Sequence, residues 1–185
     1  MYHLQNIRVY NPHDVLPLIV YTNQYLLARS DAIECALMLA TAATESAFIC
    51  RQQIGGGPAR GLWQMEPGMT GAQDIFENYL RYKPKRFQKL IRLWLNLDIE
   101  PFFVPSVGDL SYHLETNDVF ACAMARLQYL RRPEPIPDTV NEMAHYWKEY
   151  YNTDAGAGTT ARFIKAWDFH KCSELLRAQF PEHNL

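Results

Sequence analysis

Apolar residues recur at helical spacing along most of this 185-residue chain, and no strand-like alternation of any length appears. The densest apolar run, Ala36–Ala43, carries no charge, and six of its eight residues are Ala or Leu. A run that is apolar nearly all round predicts a buried helix. Asp31 and Glu34 at its start are compatible with a capping box, and Glu45 and Ser46 mark its end.

Helices are also predicted on both sides of this central helix, from capping residues and apolar stripes. They are expected at about 12–28, 71–82, 85–95, 118–132 and 139–151, with a last helix beginning at Thr160 and a glycine-rich segment at 152–158. The pattern predicts a mainly α protein. We divide it into an N-terminal arm and helix (1–30), one domain (31–178) and a C-terminal tail (179–185).

The predicted helix at 85–95 is amphipathic, with four basic residues on its polar side. Such a helix either binds a membrane surface or a partner, or is a core helix with a solvated face. Two aromatic residues, Phe102 and Phe103, follow in a loop that contains two prolines. We expect these rings either to pack beneath the loop or to line a groove.

Composition and charge exclude several classes of function. The net charge of −2 gives no basic field for nucleic acid, and no apolar run reaches the length of a membrane span. The four cysteines are scattered, as expected for buried thiols in a reducing cytoplasm. The polar N-terminus has no signal-peptide pattern, so we expect synthesis in the cytoplasm without a secretion signal.

The candidate chemistry lies at the end of the central helix. The stripe ending in Glu45 is expected to open into a cleft, whereas the stripe of Ile33, Leu37, Ala40 and Thr44 is expected to face the core. A carboxyl group in such a place is either a solvent-facing residue of the last turn, or is paired or has a raised pKa. A carboxylic acid that keeps its proton near neutral pH is what general-acid catalysis requires.

A glycine-rich loop follows this helix. Three consecutive glycines, 55–57, precede Pro58, and Gly61-Leu62-Trp63-Gln64 comes next. Glycine permits positive φ angles and a close approach of backbone to ligand. An aromatic ring and an amide beside a carboxyl group suit a sugar, although Trp63 can instead pack under the loop.

Glu45-Ser46 followed by Gly61-Leu62-Trp63-Gln64-Met65 resembles the Glu-Ser and Gly-Leu-Met-Gln motifs of soluble, lysozyme-like lytic transglycosylases. With Gly-Gly-Gly-Pro-Ala-Arg before the second motif and Glu-Pro after it, the segment is most similar to bacteriophage members associated with the virion. Tyr151-Asn152 resembles the Ala-Tyr-Asn-x-Gly motif, in which the tyrosine hydrogen-bonds the catalytic glutamate. Here Tyr150 replaces the alanine, and the glycine comes four residues after the asparagine. Either Tyr150 or Tyr151 could therefore reach Glu45, and we favour Tyr151.

The resemblance implies a lysozyme-like fold with little or no β-sheet, and cleavage of the β-1,4 bond between N-acetylmuramic acid and N-acetylglucosamine with a 1,6-anhydro product. Glu45 would be the catalytic residue, and no metal or organic cofactor would be needed. The implied substrate contacts are Ser46, Gln64, Met65, Tyr151 and Asn152. The partners would be a peptidoglycan strand and other virion proteins, and a phage particle would carry the enzyme to the cell wall.

Three alternatives stay open. A virion structural protein could keep the fold with little or no activity, and a sugar-binding protein could bind without cleavage. A hydrolytic muramidase would need a second acid, for which Glu66 is the candidate, although Pro67 tends to hold it in an extended conformation.

Arg51 and Arg60 flank the glycine loop and either bind a sugar or peptide carboxylate or are solvated.

Overall fold

A computed structural model describes residues 7–98, 102–152 and 156–183 of the chain. The α-helices of these ranges are α1 (Val15–Leu27), α2 (Ala32–Ser46), α3 (Ala72–Asn78), α4 (Pro84–Leu95), α5 (Val107–Thr116), α6 (Asp118–Tyr129), α7 (Val140–Trp147), α8 (Thr160–Phe169) and α9 (Cys172–Gln179). Short 3-10 turns cover Pro12–Asp14 and Leu80–Tyr82, and a π-helical turn, Lys148–Asn152, continues α7. The start of the predicted arm (1–6), part of the second glycine segment (153–155) and the end of the tail (184–185) lie outside the described residues.

The prediction of a mainly helical protein with one core is confirmed. Within the described ranges there is no β-strand, and two isolated bridges join Arg60 to Gln52 and to Met65. Helix α1 shares the core with the rest of the chain, because it packs against both α2 and α6. In these ranges no helix combines the length and the apolarity needed to cross a bilayer.

Helix α2 is buried almost all round, as its sequence predicts. Every side chain except Ile33 and Glu45 is buried, so the stripe that was expected to form a cleft opens only at its last residue. Asp31 caps the helix by accepting a hydrogen bond from the backbone N–H of Ile33 at 2.8 Å. Glu34 does not complete the capping box, because its carboxylate pairs with Arg126 at 2.6 Å. The helix ends where Ala47 takes a left-handed conformation with φ 51°.

Four elements differ from the sequence prediction. No helix was predicted at α5, which buries only Leu110 and Leu114 and therefore gives a weak apolar period. Helix α3 begins after Gly71 without a side-chain cap and ends at Asn78, before a 3-10 turn. Helix α7 changes to π geometry after Trp147, and the predicted last helix is divided into α8 and α9 at Lys171. Lys171 has a left-handed conformation with φ 52°, and no glycine at this position predicts it from the sequence.

Helix α4 is a core helix with a solvated basic face. Phe87, Leu90, Ile91 and Trp94 are among its buried residues. Phe102 and Phe103 pack beneath their loop, with ring centroids 4.8 and 5.8 Å from that of Phe87. These contacts favour the structural interpretations of the basic helix and of the two loop aromatics.

Candidate active site

A cleft of about 670 Å³ lies at the C-terminal end of α2. Five of the six predicted site residues line it, namely Glu45, Gln64, Met65, Tyr151 and Asn152. The sixth, Ser46, has a structural role in place of the predicted substrate contact. It is buried, its hydroxyl donates to the carbonyl oxygen of Ala42 at 3.0 Å, and it accepts from the N–H of Phe48 at 3.2 Å.

Glu45 is a partly buried carboxyl group with a defined donor. Its Oε1 accepts a hydrogen bond from Nε1 of Trp147 at 3.0 Å. Burial raises the pKa of Glu45 to about 7, against the Trp147 hydrogen bond, the positive charge of Arg162 and a hydrogen bond from Asn152, which all act to lower it. The protonated and ionised forms are therefore similarly populated near neutral pH, as the sequence argument required of a general acid.

Trp147 is the first of two residues of this site that sequence reasoning missed. It ends α7, its side chain is almost wholly buried, and its ring centroid lies 5.5 Å from that of Phe163 in α8. Because α7 packs against α2, the indole N–H reaches the last turn of that helix. The sequence placed Trp147 in an apolar stripe, and that pattern does not distinguish a packing tryptophan from one that donates to a carboxylate.

Arg162 was also missed. It lies in the first turn of α8, lines the cleft and donates from Nη2 to the carbonyl oxygen of Thr44 at 2.8 Å. That bond holds the guanidinium group beside the end of α2, where its charge acts to lower the pKa of Glu45. An exposed arginine in a first helical turn carries no local signal of such a role in the sequence.

Tyr151 does not make the hydrogen bond that the resemblance implied. Its hydroxyl donates to the carbonyl oxygen of Trp63 at 2.8 Å, and its ring stacks on Tyr129 with centroids 5.2 Å apart. A phenol has one proton to donate, and Tyr151 uses it on Trp63. The hydrogen bond to Glu45 comes instead from the indole N–H of Trp147. Tyr151 still lines the cleft, and its burial raises the pKa of its hydroxyl well above the ordinary value.

Trp63 packs under the glycine loop, where its ring is not exposed to the cleft. Its side chain is fully buried, and its Nε1 donates to the carbonyl oxygen of Met38 at 2.9 Å. The adjacent Gln64 takes a left-handed conformation with φ 46°. Its amide nitrogen donates to the carbonyl oxygens of Cys50 and Gly61, so its own carbonyl oxygen remains as the acceptor at the cleft.

Glu66 brings a second carboxyl group to the same cleft. Its Oε2 accepts a hydrogen bond from the hydroxyl of Thr70. The side chain of Thr70 thereby bonds to Glu66 and does not cap α3. The cleft consequently contains one carboxyl group on α2 and another on the wall that follows Met65.

The two loop arginines have structural partners. Arg51 pairs with the fully buried carboxylate of Asp118 at 2.7 Å and donates to the carbonyl oxygen of Val9. Arg60 donates to the carbonyl oxygen of Gly57 at 2.7 Å and lies 3.5 Å from Glu115. These contacts favour loop anchoring over recognition of a sugar or a peptide carboxylate.

Cysteines and metal-binding groups add little to the site. Cys35, Cys122 and Cys172 are buried thiols as predicted, whereas Cys50 is half-buried and lines the cleft. In the three described ranges, no cluster of three His, Cys, Asp or Glu side chains is placed to hold a metal ion.

Comparisons with known proteins add no relative to this picture: no family model, no curated protein and no solved structure matches the chain.

Proposed function

We propose that the protein is a lytic transglycosylase with a lysozyme-like fold, which cleaves the β-1,4 bond between N-acetylmuramic acid and N-acetylglucosamine in peptidoglycan. The observation that carries the proposal is the partly buried carboxyl group of Glu45. This group has a pKa of about 7 and lies beside an open cleft. The motif resemblance supplies the substrate class. It also supplies the proposed setting, in which virion-associated enzyme opens the wall locally.

One carboxyl group is enough for the reaction. Protonated Glu45 donates its proton to the glycosidic oxygen as the bond from that oxygen to C1 of the muramic residue breaks. The resulting carboxylate then takes the proton from the C6 hydroxyl of the same residue. That oxygen bonds to C1, which gives the 1,6-anhydro product and returns Glu45 to its protonated form. The nucleophile belongs to the substrate, so no second catalytic acid is required.

The surroundings of Glu45 suit both halves of this cycle. Burial favours the protonated form that must exist before cleavage. The Trp147 indole, the Asn152 amide and the Arg162 charge favour the carboxylate that exists after it. These groups are fixed before the substrate arrives, so they stabilise the developing charge with little reorganisation. The cleft also lies within the volume range of ordinary ligand sites.

Hydrolysis is the second candidate reaction, and it is favoured by the presence of Glu66 in the same cleft. In a hydrolase, a second carboxylate activates water or attacks the sugar itself. Substitution of Glu66 would then abolish cleavage, whereas a transglycosylase would keep most of its turnover.

Digestion of purified peptidoglycan tests the proposal. We expect the wild type and the control variant Glu174→Gln, which changes an exposed carboxylate of α9, to release soluble fragments. Glu45→Gln should reduce release by at least about a hundredfold, the scale of a lost general acid. Mass analysis should find 1,6-anhydromuramic ends, and reducing muramic ends would instead identify a hydrolase. Equal and negligible release by all three proteins would support a virion structural role.

A further inference from the structure

The π-helical turn after α7 carries a lysine that is tied to the site by two hydrogen bonds. Nζ of Lys148 donates to Oδ1 of Asn152 at 3.0 Å and to the carbonyl oxygen of Gly156 at 2.8 Å. The backbone N–H of Gly158 donates to the same Asn152 oxygen at 3.2 Å. The amide oxygen of Asn152 therefore accepts from two donors, Lys148 before it in the chain and Gly158 after it.

These contacts decide which way the Asn152 amide faces. An amide has one acceptor oxygen and one nitrogen that can only donate. If the group turned over, its NH₂ would face the ammonium of Lys148 and the N–H of Gly158, which are both donors. With the oxygen held, the nitrogen is the end left for Glu45, in keeping with the hydrogen bond from Asn152 that lowers the pKa of Glu45.

The glycines at 156 and 158 lie directly against the donors of Glu45. A Cβ at Gly158 would overlap the ring of Trp147 and come within 2.8 Å of Nδ2 of Asn152. A Cβ at Gly156 would overlap the backbone and side-chain oxygens of Asn152. Both positions lack room for a side chain, because Trp147 and Asn152 occupy that space. The close packing explains the need for glycine in this segment.

We propose that Lys148 is a positioning residue, which clamps segment 156–158 onto Asn152 and so directs the Asn152 amide nitrogen at the Glu45 carboxyl group. Lys148 touches neither reacting atom and acts through Asn152. The catalytic consequence rests on the proposed function, whereas the clamp itself can be tested without substrate.

Other groups also face Glu45 and must be held constant in the test. Trp147 donates to it from α7, and Arg162 places its positive charge there from α8. Tyr129 of α6 and Tyr151 of the π turn interact electrostatically with Glu45. None of these four side chains is changed in the variants below, so a changed titration reports on Lys148 and Asn152.

The test is a side-chain carboxyl NMR titration of Glu45, in protein labelled with ¹³C, for the wild type, four single variants and one double variant. Lys148→Met and Asn152→Ala should each raise the pKa of Glu45 by about one pH unit, the scale of a lost hydrogen bond to a charged group. Lys148→Arg keeps the donors and should restore most of the wild-type pKa. Lys165→Met removes an exposed charge from α8 and should leave it unchanged.

The double variant Lys148→Met/Asn152→Ala separates the clamp from a direct effect of charge. We expect its Glu45 pKa to equal that of Asn152→Ala alone, because Lys148 acts only through the amide. A further rise in the double variant, or an unchanged titration in Lys148→Met, would overturn the proposal. Thermal unfolding identifies any variant that has lost its fold, and Lys148→Arg then serves as the reference.

Turnover of peptidoglycan gives the second measurement. Lys148→Met should lower kcat about tenfold, because the acid loses its orientation. KM should change little, because the cleft keeps its shape. If the wild type shows no turnover but the titrations behave as described, the proposed function fails and the clamp stands. If the wild type is active and Lys148→Met matches it in both kcat and titration, the clamp fails and the function stands.

Discussion

The indole N–H of Trp147 donates a 3.0 Å hydrogen bond to Oε1 of Glu45 and so joins the end of α7 to the last turn of α2. An indole carries no charge and gains none, so this bond stabilises the carboxylate without adding a titrating neighbour. Burial and this donor act on the pKa of Glu45 in opposite directions, and burial has the larger effect. The balance leaves an acid that titrates at about 7.

Replacing the indole should therefore change the pH dependence of catalysis. Trp147→Phe keeps an aromatic ring but removes the donor, so the pKa of Glu45 should rise above about 7. In the proposed reaction Glu45 must be protonated in the free enzyme, so the alkaline limb of kcat/KM should move to higher pH, by about one unit. Pre-steady-state or initial-rate measurements from pH 5 to 9 would determine the midpoint.

Trp167→Phe is the matched control for this experiment. Trp167 is also a nearly buried indole, but its N–H donates to the hydroxyl of Ser173 at 3.0 Å. Both variants should lose roughly 1–3 kcal/mol of unfolding free energy from the smaller ring. Only Trp147→Phe should move the alkaline limb, and a similar movement in Trp167→Phe would show that loosened packing, not the lost donor, is responsible.

The raised pKa also makes stability depend on pH. The folded pKa of Glu45 is about 7 and its ordinary value is 4.5, so ionisation is harder in the folded chain than in the unfolded one. This carboxyl group therefore costs nothing below about pH 4.5, its cost grows between about pH 4.5 and 7, and the cost is constant above that. Glu45→Gln should stabilise the protein at pH 8 by up to about 3 kcal/mol, and the difference should vanish near pH 4.

Urea unfolding of the wild type and Glu45→Gln at pH 4, 6 and 8 would measure this difference. Gln keeps an oxygen that can accept the Trp147 hydrogen bond, so the comparison isolates the charge. A stability difference that is the same at all three pH values would mean that Glu45 titrates normally.

The ion pair of Arg51 and Asp118 should be important for stability. The Asp118 carboxylate is fully buried, and it also accepts the backbone N–H of Val9 at 2.6 Å. Arg51→Met would leave that charge without its partner, at a cost of about 3–5 kcal/mol. The control Arg92→Met breaks an exposed pair with Asp98 and should change the stability far less. Equal effects in chemical denaturation would contradict the structural role of Arg51.

Two glycines of the first loop should differ in their tolerance of alanine. Gly55 and Gly61 both have positive φ, 90° and 76°, so each alanine variant carries the strain of a left-handed residue, about 1–2 kcal/mol. Nothing lies within 4 Å of a Cβ at Gly55, whereas one at Gly61 would overlap the carbonyl oxygen of Leu114. The denaturant midpoint should therefore fall further in Gly61→Ala than in Gly55→Ala. A larger fall in Gly55→Ala would contradict the close packing of Gly61 against Leu114.

The parts of the fold that the sequence predicted are those with local signals. Asp31 and Asn117 each cap a helix from the side chain, and apolar stripes follow them. The uncharged run of α2 predicted burial because no face of it could be solvated. By contrast, Lys171 turns left-handed where neither glycine nor proline marks a break, so tertiary packing decides that boundary.

The site was predictable to the extent that it lies on contiguous segments. Glu45 and Gln64 belong to segments close in sequence, and both line the cleft. The donor to Glu45 comes from 102 residues away, and its identity depends on the rotation of α7 about its axis. Trp147 and Tyr151 are four residues apart and so share one face, and a motif cannot tell which of them meets the carboxyl group.

The most direct test of the account is the ¹³C chemical-shift titration of the Glu45 side-chain carboxyl group in the folded wild-type protein, recorded from pH 4 to 9. We predict a midpoint of about 7, so that a large share of the molecules carries, at neutral pH, the proton that the proposed reaction requires. A midpoint near the ordinary value of 4.5 would mean that Glu45 is ionised before any glycan arrives, and it would contradict the account.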